Sequence, residues 1–201
     1  STREVSQDNR RGACLLGIDI NHPQSIDFAT AKIDKTKITG ANISLKIKDD
    51  FMEAVEKNEA YSLQFPTTTL DPSFKKDISA SKMWNSITNT ALKHGEPGCF
   101  WWDKIQNYDP SSAYEDHKIV LTNACGEQPM SELDSCRLIV LNLYSYVENP
   151  FTNRAKFNFK LFKQHIHIFM RLLDDLVDLE IEYIDRIITK IKSDKEPISQ
   201  K

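Results

Sequence analysis

From about Asn158 onward the apolar residues recur with the period of an α-helix. Phe162, Ile166, Phe169, Leu173, Leu176 and Val177 set the stripe, and Ile184, Ile187, Ile188 and Ile191 resume it. This periodicity predicts a helical segment over about 158–193. Ahead of it the pattern is mixed. ACLLGIDI (13–20) is a compact apolar run stopping at Asn21-His22-Pro23, a strand ended by a turn. SIDFATAK (25–32) predicts a short helix. ITGANISLKI (38–47) alternates, with Ile43, Leu45 and Ile47 inward and Ser44, Lys46 and Lys48 outward, a strand signature. DDFMEAVEKN (49–58) predicts a helix capped by Asp49 or Asp50, with Phe51 and Val55 at helical spacing. YSLQFPTTTLDPSFKKDISA then holds a short strand and a Pro-punctuated connection. SASKMWNSITNTALKHGEPG is an amphipathic helix using Met83, Trp84, Ile87 and Leu92, closed by Gly95 and Pro97. A short aromatic stretch and a turn (CFWWDKIQNYDPSSAY) follow, and residues 137–147 read as a buried strand. The sum is an α/β or α+β domain with a helical C-terminal part.

Composition narrows the function classes. With 201 residues, 40% hydrophobic and 27% charged, the chain suits one domain or a large piece of one with a real core. A net charge of −3 gives no electrostatic footprint for nucleic acid or an anionic membrane. The small clusters KIDKTK and FKK are expected to be solvated faces. The polar start STREVSQDNRRG lacks the apolar core of a signal peptide, and no apolar run approaches the roughly 18 residues of a membrane helix. A cytoplasmic setting is the default expectation. There, Cys14, Cys99, Cys125 and Cys136 are expected to be reduced, catalytic or buried rather than a disulfide set. No metal site is expected. No cysteine pair has zinc spacing, and His165 and His167 lie on different faces of a helix. The acidic set Asp174, Asp175, Asp178, Glu180 and Glu182 lacks the Glu-x-x-His pairs of a di-iron bundle, so it is expected to be a solvated or ion-paired face.

One short stretch carries chemistry. TNACGEQP (122–129) reads as a loop and sets Asn123, Cys125 and Glu127 at alternate positions. If that loop is extended, all three side chains project to one side. Negative charge beside a thiol disfavours a thiolate nucleophile. The trio therefore suits a radical or neutral thiol, with the carboxylate as base for a substrate hydroxyl and the amide holding that substrate. The alternative is a buried cysteine in a turn whose Asn and Glu cap backbone groups.

The residues around this loop resemble the large, catalytic chain of ribonucleotide reductase, whose loop reads Asn-Pro-Cys-Gly-Glu. TNACGEQP matches at Asn123, Cys125, Gly126 and Glu127, with Ala124 where that family has Pro. Further matches follow in the same order: RRGACLLGIDINHP, AKIDKTKITGANISLKI, GEPGCFWWDKIQNYDP, SCRLIVLNL and RLLDDLVDLEIEYIDRII. The resemblance implies that Cys125 becomes a thiyl radical abstracting the ribose 3′-hydrogen, with Glu127 as base at the 3′-hydroxyl and Asn123 bonded to the substrate. Cys136 matches the second member of the cysteine pair that reduces the substrate, although Arg137, Ile139 and Val140 depart from the motif around it. The short interval from Cys125 to Cys136, and the GEQP ending, resemble the adenosylcobalamin-dependent class. The alternative radical source is a separate metal-containing subunit. Gln7, Asp8, Asn9, Arg10 and Arg11 fall in the specificity loop (near 6–12), between a deoxynucleoside triphosphate effector and the substrate base. Cys14 and Cys99 match no catalytic position and are expected to be buried small side chains.

The fold so implied is α/β: part of the ten-stranded α/β barrel, spanning 1–201, with the Cys loop inside and a helical C-terminal segment. The upstream partner of Cys136 and the downstream strands are expected to lie outside this chain. The implied partners are a ribonucleoside di- or triphosphate, a dithiol reductant such as thioredoxin, and other chains completing the barrel. The alternative is a non-catalytic nucleotide-binding or assembly subunit.

Overall fold

The computed structural model describes residues 6–7 and 10–194, with side chains from Gly12 onward. The chain divides into two units, Ser1–Cys136 and Arg137–Lys201. In the first, β1 (Ser6–Gln7) pairs antiparallel with β2 (Arg10–Arg11). Asp8 and Asn9, assigned to the specificity loop, lie outside the described residues.

The centre of this unit is a parallel sheet. β3 (Leu15–Asp19) leads through α1 (Ser25–Thr30) to β4 (Asn42–Ile47). The chain continues through α2 (Asp49–Glu56), the antiparallel pair β5 (Ala60–Phe65) and β6 (Phe74–Ser79), and α3 (Ala80–His94). It then returns as β7 (Gly98–Trp101), so the sheet order is β3-β4-β7. Parallel neighbours need crossovers of this length, and the helices supply them. α4 (Trp102–Tyr108) follows, then the hairpin β8 (Leu121–Thr122) and β9 (Pro129–Met130).

The core lies between the sheet and its crossovers. Leu45, Ile47, Phe51, Ala80, Met83 and Ile87 are buried together, and Phe51 meets Tyr61 and Trp84 edge-on at 5.0 and 6.3 Å. Burial pushes the Tyr61 hydroxyl well above its ordinary pKa of 10.0, and the Asp50 carboxylate that accepts its hydrogen bond at 3.2 Å adds to this. The folded state thus holds the phenolic proton more tightly than the unfolded chain. Its contribution to stability is complete below pH 10 and is lost as pH rises towards the folded value. Urea midpoints followed from pH 9 to 11 are expected to fall in the wild type and to fall less in Tyr61→Phe.

Several local expectations change. Ser44 does not face solvent: it is 5% exposed, because β4 is the central strand and both its faces are covered. Leu92 of α3 is exposed, whereas Met83 and Ile87 are buried and the helix closes at Gly95 with φ 78°. α2 is capped across space, with the Asp49 amide donating to Asp103 Oδ2 at 2.8 Å while Lys48 holds the cap position. β6 and α4 were not foreseen. The first is a lysine-bearing strand with little buried surface, and the second is too short to show periodicity.

The second unit contains β10 (Val147–Glu148), β11 (Lys156–Phe157) and α5 (Phe159–Ser193). The predicted helix over 158–193 is therefore present. Asn158 caps it by accepting from the Leu161 amide at 2.9 Å. The buried strand expected at 137–147 is not. Leu138 and Val140 are exposed, a 3₁₀ turn spans Leu143–Tyr146, and only Val147 is paired. An apolar run becomes a strand only where a neighbour completes its hydrogen bonds, and among the described residues no strand pairs with 138–142. On α5, Arg171 pairs with Asp175, Arg186 with Glu182 and Arg137 with Glu180, so part of the acidic set is ion-paired as expected. Among the described residues no helix is long and apolar enough to cross a membrane, and no group of three His, Cys, Asp or Glu side chains is placed to hold a metal.

Candidate active site

Because parallel strands pair in register, the residues of β3, β4 and β7 sort into two faces. Leu45 with Ile18 and Cys99 faces the crossover helices, while Gly17, Ser44 and Gly98 face the other way. That second face is built of small and polar groups, and the β8–β9 hairpin lies on it. A methyl group at Gly17 would collide with the Leu121 side chain, and one at Gly98 would come 2.6 Å from Ser44 Oγ. The missing side chain at Gly17 is thus what admits the hairpin to the sheet surface, and that at Gly98 leaves room for Ser44 on the neighbouring strand.

β4 also holds the hairpin by hydrogen bonds. Asn42 Nδ2 donates to the Ala124 carbonyl at 3.0 Å, and Lys46 Nζ donates to the Val120 carbonyl at 3.2 Å. Lys46 is itself fixed by Asp19 at 3.5 Å and by the face of the Trp102 ring, 4.8 Å from its centroid. Asn42, Lys46 and Phe100 are site residues that sequence reasoning missed. The signal was the alternation of β4, which put Lys46 on the polar face but could not say what covers that face.

The loop Asn123–Gln128 is a turn, not an extended strand. Asn123 Oδ1 accepts from the amides of Gly126 at 3.2 Å and Gln128 at 3.1 Å, and its Nδ2 donates to Glu127 Oε1 at 2.6 Å. The backbone closes the same turn, with the Asn123 amide donating to the Gln128 carbonyl at 3.0 Å. Gly126 has φ 87°, where a side chain would be strained and would also approach Phe100 at 3.2 Å. The expected projection of three side chains from an extended loop is thus replaced by a tighter arrangement. Asn123 and Glu127 meet across the turn, and Cys125 sits between them in sequence with an exposed thiol. The capping alternative is partly realised, since Asn123 does cap backbone amides. Asn123→Ala is expected to speed amide exchange at Gly126 and Gln128 by about fivefold, the loss of about 1 kcal/mol of hydrogen bonding, while amides in β4 keep their protection.

Cys125 lines two adjoining cavities. One, of about 360 Å³, runs along Asn42, Ser44, Gly98 and Phe100. The other, of about 310 Å³, is bounded by Gly12, Ala13, Cys14, Lys32 and Asn42. Gln7, Arg10 and Arg11 enter the description by backbone alone, and the segment directly after Arg11 reaches this second cavity. Cys136 is an exposed free thiol that lines neither. Cys99 packs against the core, and burial pushes its thiol pKa up. Cys14 is only partly buried and opens onto the Cys125 cavity, so it is less enclosed than expected.

A family model described as ribonucleotide reductase, barrel domain, matches residues 1–196. Among similar proteins, a vitamin B12-dependent ribonucleoside-diphosphate reductase of Thermoplasma acidophilum is 31% identical over 189 residues, covering 90% of this chain and 23% of that protein. Another of the same description from Mycobacterium tuberculosis is 29% identical over 171 residues, covering 85% and 23%. A vitamin B12-dependent ribonucleotide reductase of Streptomyces avermitilis is 23% identical over 188 residues, covering 82% and 19%. The chain spans about a quarter of the length of the first two relatives.

Proposed function

The chain belongs to the ribonucleotide reductase barrel-domain family, and from that premise we propose that it carries the radical loop of an enzyme that reduces ribonucleoside di- or triphosphates to deoxyribonucleotides. The observation that carries this reading is the placing of Cys125 at two cavities by a turn whose ends are Asn123 and Glu127. In the proposed cycle Cys125, having lost its thiol hydrogen to the radical source, takes the 3′-hydrogen of the ribose as a thiyl radical, re-forming S–H and leaving a carbon radical. Glu127 receives the proton of the 3′-hydroxyl, and the 2′-hydroxyl leaves as water with a proton from a thiol. Two thiols, one of them Cys136, supply two electrons and become a disulfide, and the second thiol's hydrogen goes to C2′. Glu127 returns its proton to the 3′-oxygen, and the 3′-hydrogen returns from Cys125, leaving it a thiyl radical again. The balance is ribonucleotide plus dithiol giving deoxyribonucleotide, disulfide and water. A dithiol reductant such as thioredoxin would reopen the disulfide.

Asn123 is the group that would meet the substrate by exchanging its bond to Glu127 for one to the ribose. Asn42 is a positioning residue, since it touches the loop backbone rather than a reacting atom. Asn42→Ala is expected to lower turnover about tenfold while thermal stability changes by no more than about 1 kcal/mol. A loss of turnover that tracks unfolding instead would remove this role.

The radical source fits best as something that approaches the exposed thiol from outside the loop. Adenosylcobalamin would supply the radical by homolysis of its carbon–cobalt bond, in line with the names of the relatives, and a separate metal-containing subunit is the alternative. We further place β3, β4 and β7 in a ten-stranded barrel completed by other chain segments. A sheet with helices on one face and the Cys loop on the other has the layering such a barrel needs. Water exclusion around a radical requires that completion. The paired segments Ser6–Gln7 and Arg10–Arg11, with the cavity-lining residues just after them, are proposed to sit between a deoxynucleoside triphosphate effector and the substrate. A cytoplasmic setting, where thiols stay reduced, suits this chemistry.

The test is deoxyribonucleotide formation with adenosylcobalamin, a dithiol and each ribonucleotide. It uses the chain alone and a chimera in which the chain replaces the matching quarter of a B12-dependent relative. Product that depends on Cys125 in either protein supports the reading. Nucleotide binding without product in both favours the second reading, a nucleotide-binding or assembly subunit, which the engagement of Asn123 within its own turn would suit.

A further inference from the structure

We propose that a third cavity, of about 430 Å³, between the Lys32–Thr39 segment and the last turn of α3 binds a phosphate-rich anion. Its walls carry Lys32, Lys35, Lys37, Lys93 and His94, with Glu96 as the single carboxylate. Four lysines against one glutamate leave a formal excess of three positive charges in a chain whose net charge is −3. The two basic stretches are far apart in the sequence, and only the fold brings KIDKTK opposite Lys93 and His94.

The charges are not consumed locally. Glu96 is committed to Lys32 through one carboxylate oxygen, and it accepts from the Ile43 amide at 3.0 Å through the other. Lys37 stands 3.9 Å from Asp34, at the limit of ion pairing. Asp34 is occupied chiefly in ordering its own turn, accepting from the Thr36 amide at 3.0 Å and the Thr36 hydroxyl at 2.6 Å. Lys35 and Lys93 have no carboxylate partner among the described residues. Lys93 and His94 complement the negative end of the α3 dipole, which accounts for their presence on the helix. It does not account for Lys35 and Lys37 converging on them from another segment, because like charges facing one cavity repel within the Debye length of about 8 Å at physiological salt.

A compact polyanion reverses that repulsion. Lysine ammonium groups are point charges with three donors each, suited to phosphate oxygens. A single carboxylate would leave most of the excess positive charge unanswered, whereas an oligophosphate chain would neutralise it. Thr39 adds a hydroxyl. Thr39 and Lys32 also line the cavity at Cys125, so the site adjoins the candidate active site without including its loop. This inference stands whether or not Cys125 is a radical residue.

Inorganic tripolyphosphate and ATP distinguish a site that reads phosphate alone from one that also reads a nucleoside. Each is titrated into the purified chain, with heat and amide NMR shifts recorded. Saturable binding with shifts concentrated at residues 35–39 and 93–96 is expected. Lys35→Ala with Lys93→Ala is expected to weaken it about tenfold. Lys75→Ala with Lys76→Ala, on the exposed strand β6, should change little. Equal affinity for the two probes identifies a phosphate site, and tighter ATP binding identifies a nucleotide site. Absence of saturation by both at about 10 mM, or equal weakening in the Lys75/Lys76 variant, overturns the proposal.

Discussion

Cys125→Ala is expected to remove deoxyribonucleotide formation, by at least about a thousand-fold, while the protein keeps its fold. Residues that act as one catalytic unit lose nearly all of their rate when the reacting atom is removed, and no neighbouring group can replace a sulfur that must both take and return a hydrogen. The stability cost is small because the thiol is exposed and none of the bonds that shape the turn involves the Cys125 side chain. Those bonds come from Asn123, Asn42 and the backbone. Turnover, thermal midpoint and amide exchange in the loop should therefore separate cleanly. Cys125→Ser sharpens the comparison, because it nearly preserves shape while raising the cost of forming the radical, the O–H bond being stronger than S–H. Product surviving in either variant would show that Cys125 is not the radical residue, whatever the family of the chain.

Phe51→Ala is expected to cost about 3–5 kcal/mol of stability. Phe51 is 0% exposed and lies where α2 meets β5 and α3, in edge contact with Tyr61 and Trp84. Removing the ring opens a cavity that rigid strands and helices on all sides cannot refill. A domain is stable by about 5–15 kcal/mol in total, so this substitution should consume a large share of that margin. Urea unfolding followed by tryptophan fluorescence would measure it, with Phe51→Leu as the smaller step. A cost below about 1 kcal/mol would mean that the packing around Phe51 is loose, and with it the support beneath β4.

Much of the first unit was legible in the sequence because its signals are local. β3, α1, β4, α2, β5 and α3 follow from period and turn residues that lie within each element. The C-terminal helix follows from a stripe that no tertiary context had to supply. Asn123 as a cap was foreseeable too, since it bonds amides only three and five residues away. The apolar run 137–147 misled because a strand is not a property of one segment: its backbone groups need a partner, and Leu138 and Val140 have no strand neighbour among the described residues.

By itself, then, the sequence determined which residues share a face. The period of two in β4 groups Asn42, Ser44 and Lys46 on one side and Ile43, Leu45 and Ile47 on the other, whatever surrounds them. Only the tertiary structure decided that the polar side meets the Asn123–Gln128 loop instead of water. That choice rests on contacts such as Asn42 to Ala124, which join residues 82 apart, and on the missing side chain at Gly17 that admits the hairpin. The same holds for the lysine-lined cavity, where each basic cluster alone reads as a solvated face. Charge and periodicity are written residue by residue, but what a face is turned towards depends on chain closure over long separations, which no local pattern encodes.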